Sequence, residues 1–201
     1  MENHKSKRNR VGNISMKIYE YEDYDDYVRW QTKINKIKLN WVYANKTVID
    51  TISKDRNIAE FIICHGTRSG AEQKFFKNNF PSAYIIGTEI SDTASQFEMT
   101  IQHDFAIPKK EWIGKADIVY SNAYDHCIDP IKTITTWKEQ LSSSGLLYLE
   151  YSEKDSVCEA ADPLLATQKE VEDIIKNQGL HIVKTFSGSK TSNVLVCRRN
   201  D

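Results

Sequence analysis

The sequence predicts an α/β fold: a doubly wound, mostly parallel seven-stranded sheet with a C-terminal antiparallel hairpin, preceded by N-terminal helices. Three observations carry this. From residue 58 onward, apolar runs of strand length alternate with amphipathic helical patterns. The first run, Phe61-Ile62-Ile63-Cys64, leads into His65-Gly66-Thr67-Arg68-Ser69-Gly70, a glycine-bearing loop that opens a helix. In an open α/β sheet such a loop presents backbone N–H groups at the carboxyl edge, where ligands with a nucleotide part bind. Finally, the last two strand patterns are joined only by Ser187-Gly188-Ser189-Lys190, too short for a crossover, so they must be antiparallel.

The elements follow in order. Residues 1–12 are polar and basic, with Lys5, Lys7, Arg8 and Arg10, and read as a flexible tail. Residues 13–56 read as a helical extension. Its first helix spans 19–41, where Tyr27, Trp30, Ile34, Ile37 and Trp41 recur at three- and four-residue steps and draw one apolar stripe. Core packing is the expected role of that stripe, with covering a site as the alternative. A second helix spans 46–53, with Val48, Ile49 and Ile52 facing inward.

Residues 57–201 form the α/β domain. A strand at 58–64 is apolar throughout, as a strand covered on both faces should be. A helix at 71–79 stops before Pro81. Strands follow at 83–89, 101–104 and within 115–121, with a short helix at 93–100. A helix at 130–141, a turn at 142–145 and a strand at 146–151 come next. Thr167 and Glu170 form a capping box for a helix that carries Val171, Ile174 and Ile175 and stops at Gly179. Strands at 181–186 and 193–198 close the chain.

The chain has 201 residues, 27% of them charged, and a formal net charge of -1. That suits one domain with a substantial core. No global field draws it to nucleic acid, and no apolar run is long enough to cross a membrane. The four cysteines (Cys64, Cys127, Cys158, Cys197) show no paired spacing, and no metal-ligand pattern joins them to the histidines. Reduced thiols and a cytoplasmic setting are expected.

Residues at the carboxyl ends of the proposed strands converge on one edge. After the first strand come His65, Gly66, Thr67, Arg68 and Gly70. Glu89 ends the second, roughly 20 residues past the loop, where an acid can take a ribose diol. Asp104 and Phe105 end the third; an Asp there can accept from an exocyclic amine and the Phe can lie on a base. Asn122, Asp125 and His126 follow the fourth. Each has a structural alternative: Asp104, Asp125 and Asp129 as caps or turn formers, Phe105 as core, Asn122 as a loop backbone partner, and His126 as a structural histidine.

With these pieces in place, residues 58–197 resemble the class I S-adenosylmethionine-dependent methyltransferases of generic small-substrate type. The resemblance rests on the loop at 64–70, Gly87-Thr88-Glu89-Ile90-Ser91, His103-Asp104-Phe105, the segment from Ala116 to Asn122 with Asp125-His126, and the closing hairpin. It implies a Rossmann-like methyltransferase domain at 57–201 and S-adenosyl-L-methionine as cofactor. His65, Gly66, Thr67, Arg68, Gly70, Glu89, Asp104, Phe105 and Asn122 would contact it. Two loop positions depart from the family pattern: Cys64 stands for the usual acid and Arg68 for the middle glycine. Arg68 is a candidate partner for the methionine carboxylate.

The implied reaction is methyl transfer to a small-molecule acceptor, at oxygen or nitrogen. His126 is the first candidate base, since its ordinary pKa lies near neutrality, and Asp125 the second, directly or by orienting His126. Two other functions remain open on sequence: a methyltransferase acting on RNA or protein, and a non-catalytic nucleoside- or partner-binding module.

Overall fold

The computed structural model describes residues 6–11, 14–152 and 158–200. Among the described residues, ten strands and five α-helices run in the order β1 (Ser6–Val11), β2 (Ile14–Tyr19), α1 (Tyr24–Ile37), α2 (Lys46–Asp55), β3 (Phe61–His65), α3 (Ala71–Asn79), β4 (Tyr84–Glu89), β5 (Thr100–Gln102), β6 (Ala116–Ser121), α4 (Pro130–Gln140), β7 (Leu141–Tyr151), β8 (Leu164–Leu165), α5 (Gln168–Asn177), β9 (Leu180–Ser187) and β10 (Asn193–Arg199). The main sheet has seven strands in the order β5-β4-β3-β6-β7-β10-β9. Its first five strands pair in parallel, whereas β10 is antiparallel to both β7 and β9. This is the expected mixed sheet with its terminal hairpin. The strand order reverses at β3 and β6, so a crevice opens above their carboxyl ends.

Alternation along the central strands divides the core. Ile63 and Val119 point to one face with Ile134, Trp137, Val171 and Ile174 from α4 and α5. Ile62, Cys64, Ile118 and Tyr120 point to the other, against Val48, Ile49, Ile52 and Phe76 from α2 and α3. Truncating one such fully buried Ile to Ala costs about 2–5 kcal/mol. The capping box of α5 forms as expected: Thr167 Oγ1 accepts from Glu170 N, and Glu170 Oε2 accepts from Thr167 N at 2.7 Å.

Four expectations about the fold need correction. Residues 6–11 are not a tail: β1 pairs antiparallel with β2, and β2 with β8, in a separate three-stranded sheet. Backbone pairing does not depend on side-chain hydrophobicity, so a basic segment gave no sign of it; residues 1–5 and 12 of the expected tail lie outside the described ones. The helical extension therefore starts with a strand, and α1 begins at Tyr24, where Asp23 accepts from Asp26 N as N-cap. Residues 142–145, expected as a turn, are part of β7: its pairing with β6 jumps from Ala116↔Leu141 to Ile118↔Leu146, so they bulge out within the strand.

The apolar stripe on α1 is the fourth correction. Ile37 and Trp41 are 65% and 56% exposed. The buried line is Tyr27, Gln31 and Asn35, spaced by fours and largely polar. That face lies against polar groups at the carboxyl edge of the sheet, so α1 is a roof over the crevice.

Candidate functional site

The loop after β3 is held from below. Gly66 and Thr67 both donate their N–H to the Thr88 carbonyl (2.9 and 3.0 Å), and Gly70 N donates to Thr67 O. Fully buried Gln73 donates to Thr67 Oγ1 at 3.0 Å and Thr100 Oγ1 at 2.9 Å. Gly87 makes room for it: a Cβ there would stand 1.7 Å from Gln73 Nε2. Gly66 has φ +72, and a Cβ on it would be 2.4 Å from Ala123 Cβ, so the backbone passes where no side chain fits. Gly70 (φ 71) is the N-cap of α3 and shapes the loop without lining the crevice. Arg68 also has a positive φ of 43, a conformation that costs a non-glycine residue about 1–2 kcal/mol.

Glu89 ends β4 and is buried. Its Oε2 accepts from Arg68 N and its Oε1 from Ser91 N, each at 3.0 Å. Burial pushes its carboxyl above the ordinary range, and the two amides only partly offset this. Phe105 is buried beside Gly66, edge-on to Trp137, and lines the crevice. Asp104 does form the turn weighed as its alternative, with Oδ1 accepting from Ala106 N, while Oδ2 accepts from Tyr24 Oη of the roof, both at 2.8 Å.

His65 does not belong to the crevice wall. Its ring is sealed in the core, stacked 5.1 Å from Trp137, with Nδ1 against Thr88 Oγ1 and Nε2 against Gln140 Oε1. Burial lowers its pKa to about 3, so it is a neutral structural residue. Arg68 lines the crevice, and its guanidinium donates to the Trp41 carbonyl at 3.2 Å and lies 5.0 Å over the Tyr43 ring. It fastens the strap between α1 and α2.

Past β6, Asn122, Asp125 and His126 line the crevice. His126 Nδ1 lies 3.0 Å from Gln31 Oε1. The Gln31 amide is oriented by Nε2 donating to the Ala160 carbonyl at 3.1 Å, so Nδ1 carries the ring proton. Nε2 is therefore the basic nitrogen of the neutral ring. It faces Asp162 at 3.5 Å and Asp125 at 4.0 Å. Asp162 comes from the segment before β8, and nothing in its spacing along the chain ties it to His126. With Asp125 and His126 it forms a group whose ligand-type atoms all lie within 4.8 Å of one another. The roof is latched here too, by Tyr27 Oη donating to His126 O, and further along by Thr93 Oγ1 donating to Asn35 Oδ1.

Sequence reading also missed Glu72, in the first turn of α3. It is buried and lines the crevice, and its Oε2 has no hydrogen-bond partner among the described residues. An acid at a helix start reads as ordinary dipole compensation. The only sequence signal was its place two residues beyond Gly70.

Together these residues enclose a crevice of about 410 Å³. By strand order it runs from Glu89 and Phe105, over the β3 loop and His126, to Glu150 and the β9–β10 turn. Its size suits a small molecule or cofactor.

No protein-family model matches the sequence, and no curated protein is similar to it in sequence. Solved structures are similar in fold. The Burkholderia thailandensis 1,6-didemethyltoxoflavin-N1-methyltransferase, solved with S-adenosylhomocysteine, superposes with a TM-score of 0.72 at 9% identity, over 96% of this chain and 98% of that one. The sugar N-methyltransferase KedS8 from Streptoalloteichus gives 0.61 at 13% identity, over 97% and 100%. A SAM-dependent methyltransferase from Aquifex aeolicus gives 0.60 at 11%, over 83% and 97%. The chain has the class I S-adenosylmethionine-dependent methyltransferase fold.

Proposed function

We propose that the protein is an S-adenosylmethionine-dependent methyltransferase acting on a small-molecule acceptor at oxygen or nitrogen, with residues 57–201 as the catalytic domain and α1 as its roof. The observation that carries this is Glu89, a buried carboxylate at the end of β4 on the crevice wall, held by only two amides. A ribose diol supplies the hydroxyl donors that its remaining lone pairs lack.

The residues present fit the group. Gly66 lets the loop backbone pass against Ala123 where no Cβ fits, Phe105 offers an aromatic face, and Asn122 and Thr67 line the wall. When bound, the sulfonium of S-adenosylmethionine supplies an activated methyl group. The chain has to hold the acceptor in line, exclude water and accept a proton. Asp104 already accepts from Ala106 N and Tyr24 Oη, so any amine it receives shares that carboxylate with the roof.

His126 is the base for a hydroxyl acceptor. Gln31 fixes its Nδ1 proton, and Nε2 would take the proton of an acceptor hydroxyl as its oxygen gains the methyl carbon, the sulfur–methyl bond breaking to leave the neutral thioether. The resulting imidazolium lies beside Asp162 and Asp125, 3.5 and 4.0 Å from Nε2. Asp125 thus supports His126 and is not itself the base. The carboxylates at this end favour a polar or cationic acceptor.

Calorimetric titration with S-adenosylmethionine and S-adenosylhomocysteine, with NAD as control, tests the cofactor. Micromolar binding of both sulfur compounds is expected, and binding of neither would end this reading. His126→Ala should lower turnover of a hydroxyl acceptor by roughly 10²–10⁴-fold with cofactor affinity unchanged. A small loss would remove His126 from the reaction.

A further inference from the structure

We propose that Glu72 is the anionic partner of a ligand ammonium group in the crevice, and that this ammonium is the α-amino group on the amino-acid arm of the nucleoside cofactor. The assignment rests on the cofactor reading above and deepens it.

Glu72 is buried, belongs to the crevice wall, and keeps one carboxylate oxygen unpartnered among the described residues. A buried polar atom without a donor costs roughly 1–3 kcal/mol, more when charged, so an unmet oxygen on a residue of the crevice wall calls for a donor, and a small turn of the side chain lets one that enters the crevice supply it. The missing group is a donor. The surroundings favour a cationic one: Glu89 adds a second carboxylate to the same wall, and the nearest guanidinium, on Arg68, is engaged by the Trp41 carbonyl and the Tyr43 ring. Position selects the part of the ligand. Glu72 opens α3 immediately after the loop, between Glu89 on the nucleoside side and Asn122 on the acceptor side. A ligand whose ribose meets Glu89 and whose reacting end nears His126 must lay its connecting arm across this point.

The titratable and charged groups around Glu72 are Glu89 and Arg68 in the wall and Cys64 and Tyr120 behind it. Burial keeps Cys64 and Tyr120 neutral, and Arg68 favours the charged form of Glu72 while Glu89 opposes it. In the free protein burial raises the Glu72 carboxyl to about 7, helped by Glu89 and opposed by its own amide, Arg68 and Asn122. An arriving ammonium favours the carboxylate, so binding below about pH 7 must release a proton and weaken as pH falls.

The test is calorimetry on the full chain with S-adenosylhomocysteine, its deaminated analogue and 5′-methylthioadenosine, which lacks the whole arm. Glu72→Gln should weaken S-adenosylhomocysteine about 10- to 100-fold and leave 5′-methylthioadenosine and the deaminated analogue unchanged. Equal affinity of variant and wild type for S-adenosylhomocysteine overturns the assignment, as does an equal loss for all three ligands. A variant-free measurement covers a folding failure: at about pH 6, wild-type binding in buffers of different ionisation enthalpy should show proton release for S-adenosylhomocysteine and none for 5′-methylthioadenosine, and equal proton counts overturn the assignment. If wild type binds 5′-methylthioadenosine but gains nothing from the amine, the nucleoside site stands and the Glu72 role fails. If it binds none of the three, the cofactor reading fails and takes the Glu72 role with it.

Discussion

Glu89 and Glu150 stand at two ends of the same crevice, at the carboxyl ends of β4 and β7, and both are buried. Their partners differ. Glu89 receives two backbone amides. Glu150 Oε1 receives Ser192 Oγ (2.6 Å), Ser189 N and Ser189 Oγ (both 2.7 Å), while Tyr120 Oη donates to Oε2 at 2.7 Å. The β9–β10 turn is shaped for this, since a Cβ on Gly188 would stand 2.8 Å from Glu150 Oε1. Burial opposes the charge of both. For Glu150 the serine and tyrosine donors outweigh burial and its carboxyl falls below the ordinary range, whereas that of Glu89 stays above it. A buried carboxylate supplied with donors by its own chain is a structural tie. One left short of donors has lone pairs to offer a ligand, the role we propose for Glu89.

The largest expected effect tests the under-supplied member. Glu89→Ala should weaken S-adenosylhomocysteine by about 100-fold, equivalent to ~2.7 kcal/mol, with the melting temperature little changed. Calorimetry with a parallel melt reads both. A lower melting temperature with affinity intact would reverse the roles of the two glutamates.

Glu150→Gln should do the opposite. The amide keeps the shape but cannot accept all four donors, so a loss of about 2 kcal/mol is expected, or roughly 4–8 °C in a domain of this size, with ligand affinity unchanged. The pH dependence has a definite sign. The folded pKa is depressed, so the stabilisation is present above the unfolded carboxyl value and is lost as pH falls through the folded one. The gap between variant and wild type should therefore narrow on acidification, which thermal melts at about pH 7 and about pH 3.5 would show.

The same contrast explains what could be read in advance. The sheet was legible because strands covered on both faces must be apolar, as in Ile62-Ile63-Cys64 and Ile118-Val119-Tyr120. The loop and Glu89 were legible because glycine spacing and strand ends are local. Roofing is not local. The inward line Tyr27-Gln31-Asn35 is polar because it meets His126 and Thr93, far along the chain, while Ile37 and Trp41 supply the apolar periodicity and stay exposed. His65 looked like a loop ligand by position, but its ring turns beneath the loop to Gln140 and Trp137. Asp162 joins His126 only through the tertiary fold, and no local spacing in the sequence could pair the two.

The smallest expected effect concerns Glu72, which sharpens the comparison by extending it to a third buried carboxyl with fewer donors still. Its folded pKa is about 7, above the ordinary 4.5. With the folded value raised, the unfolded chain holds fewer protons between those two values, so stability falls as pH rises from about 4.5 to about 7 and then levels off. Wild type should thus lose stability across that window in the absence of ligand, and Glu72→Gln, which carries no titrating proton, should lose less. A difference of about 1–2 kcal/mol between variant and wild type at about pH 8, shrinking towards about pH 5, is expected from urea unfolding. The excess should vanish when S-adenosylhomocysteine is present, because an ammonium beside the carboxylate removes the reason for its raised pKa. A pH-independent difference would mean that Glu72 is supplied with donors after all, like Glu150, and belongs with the structural ties.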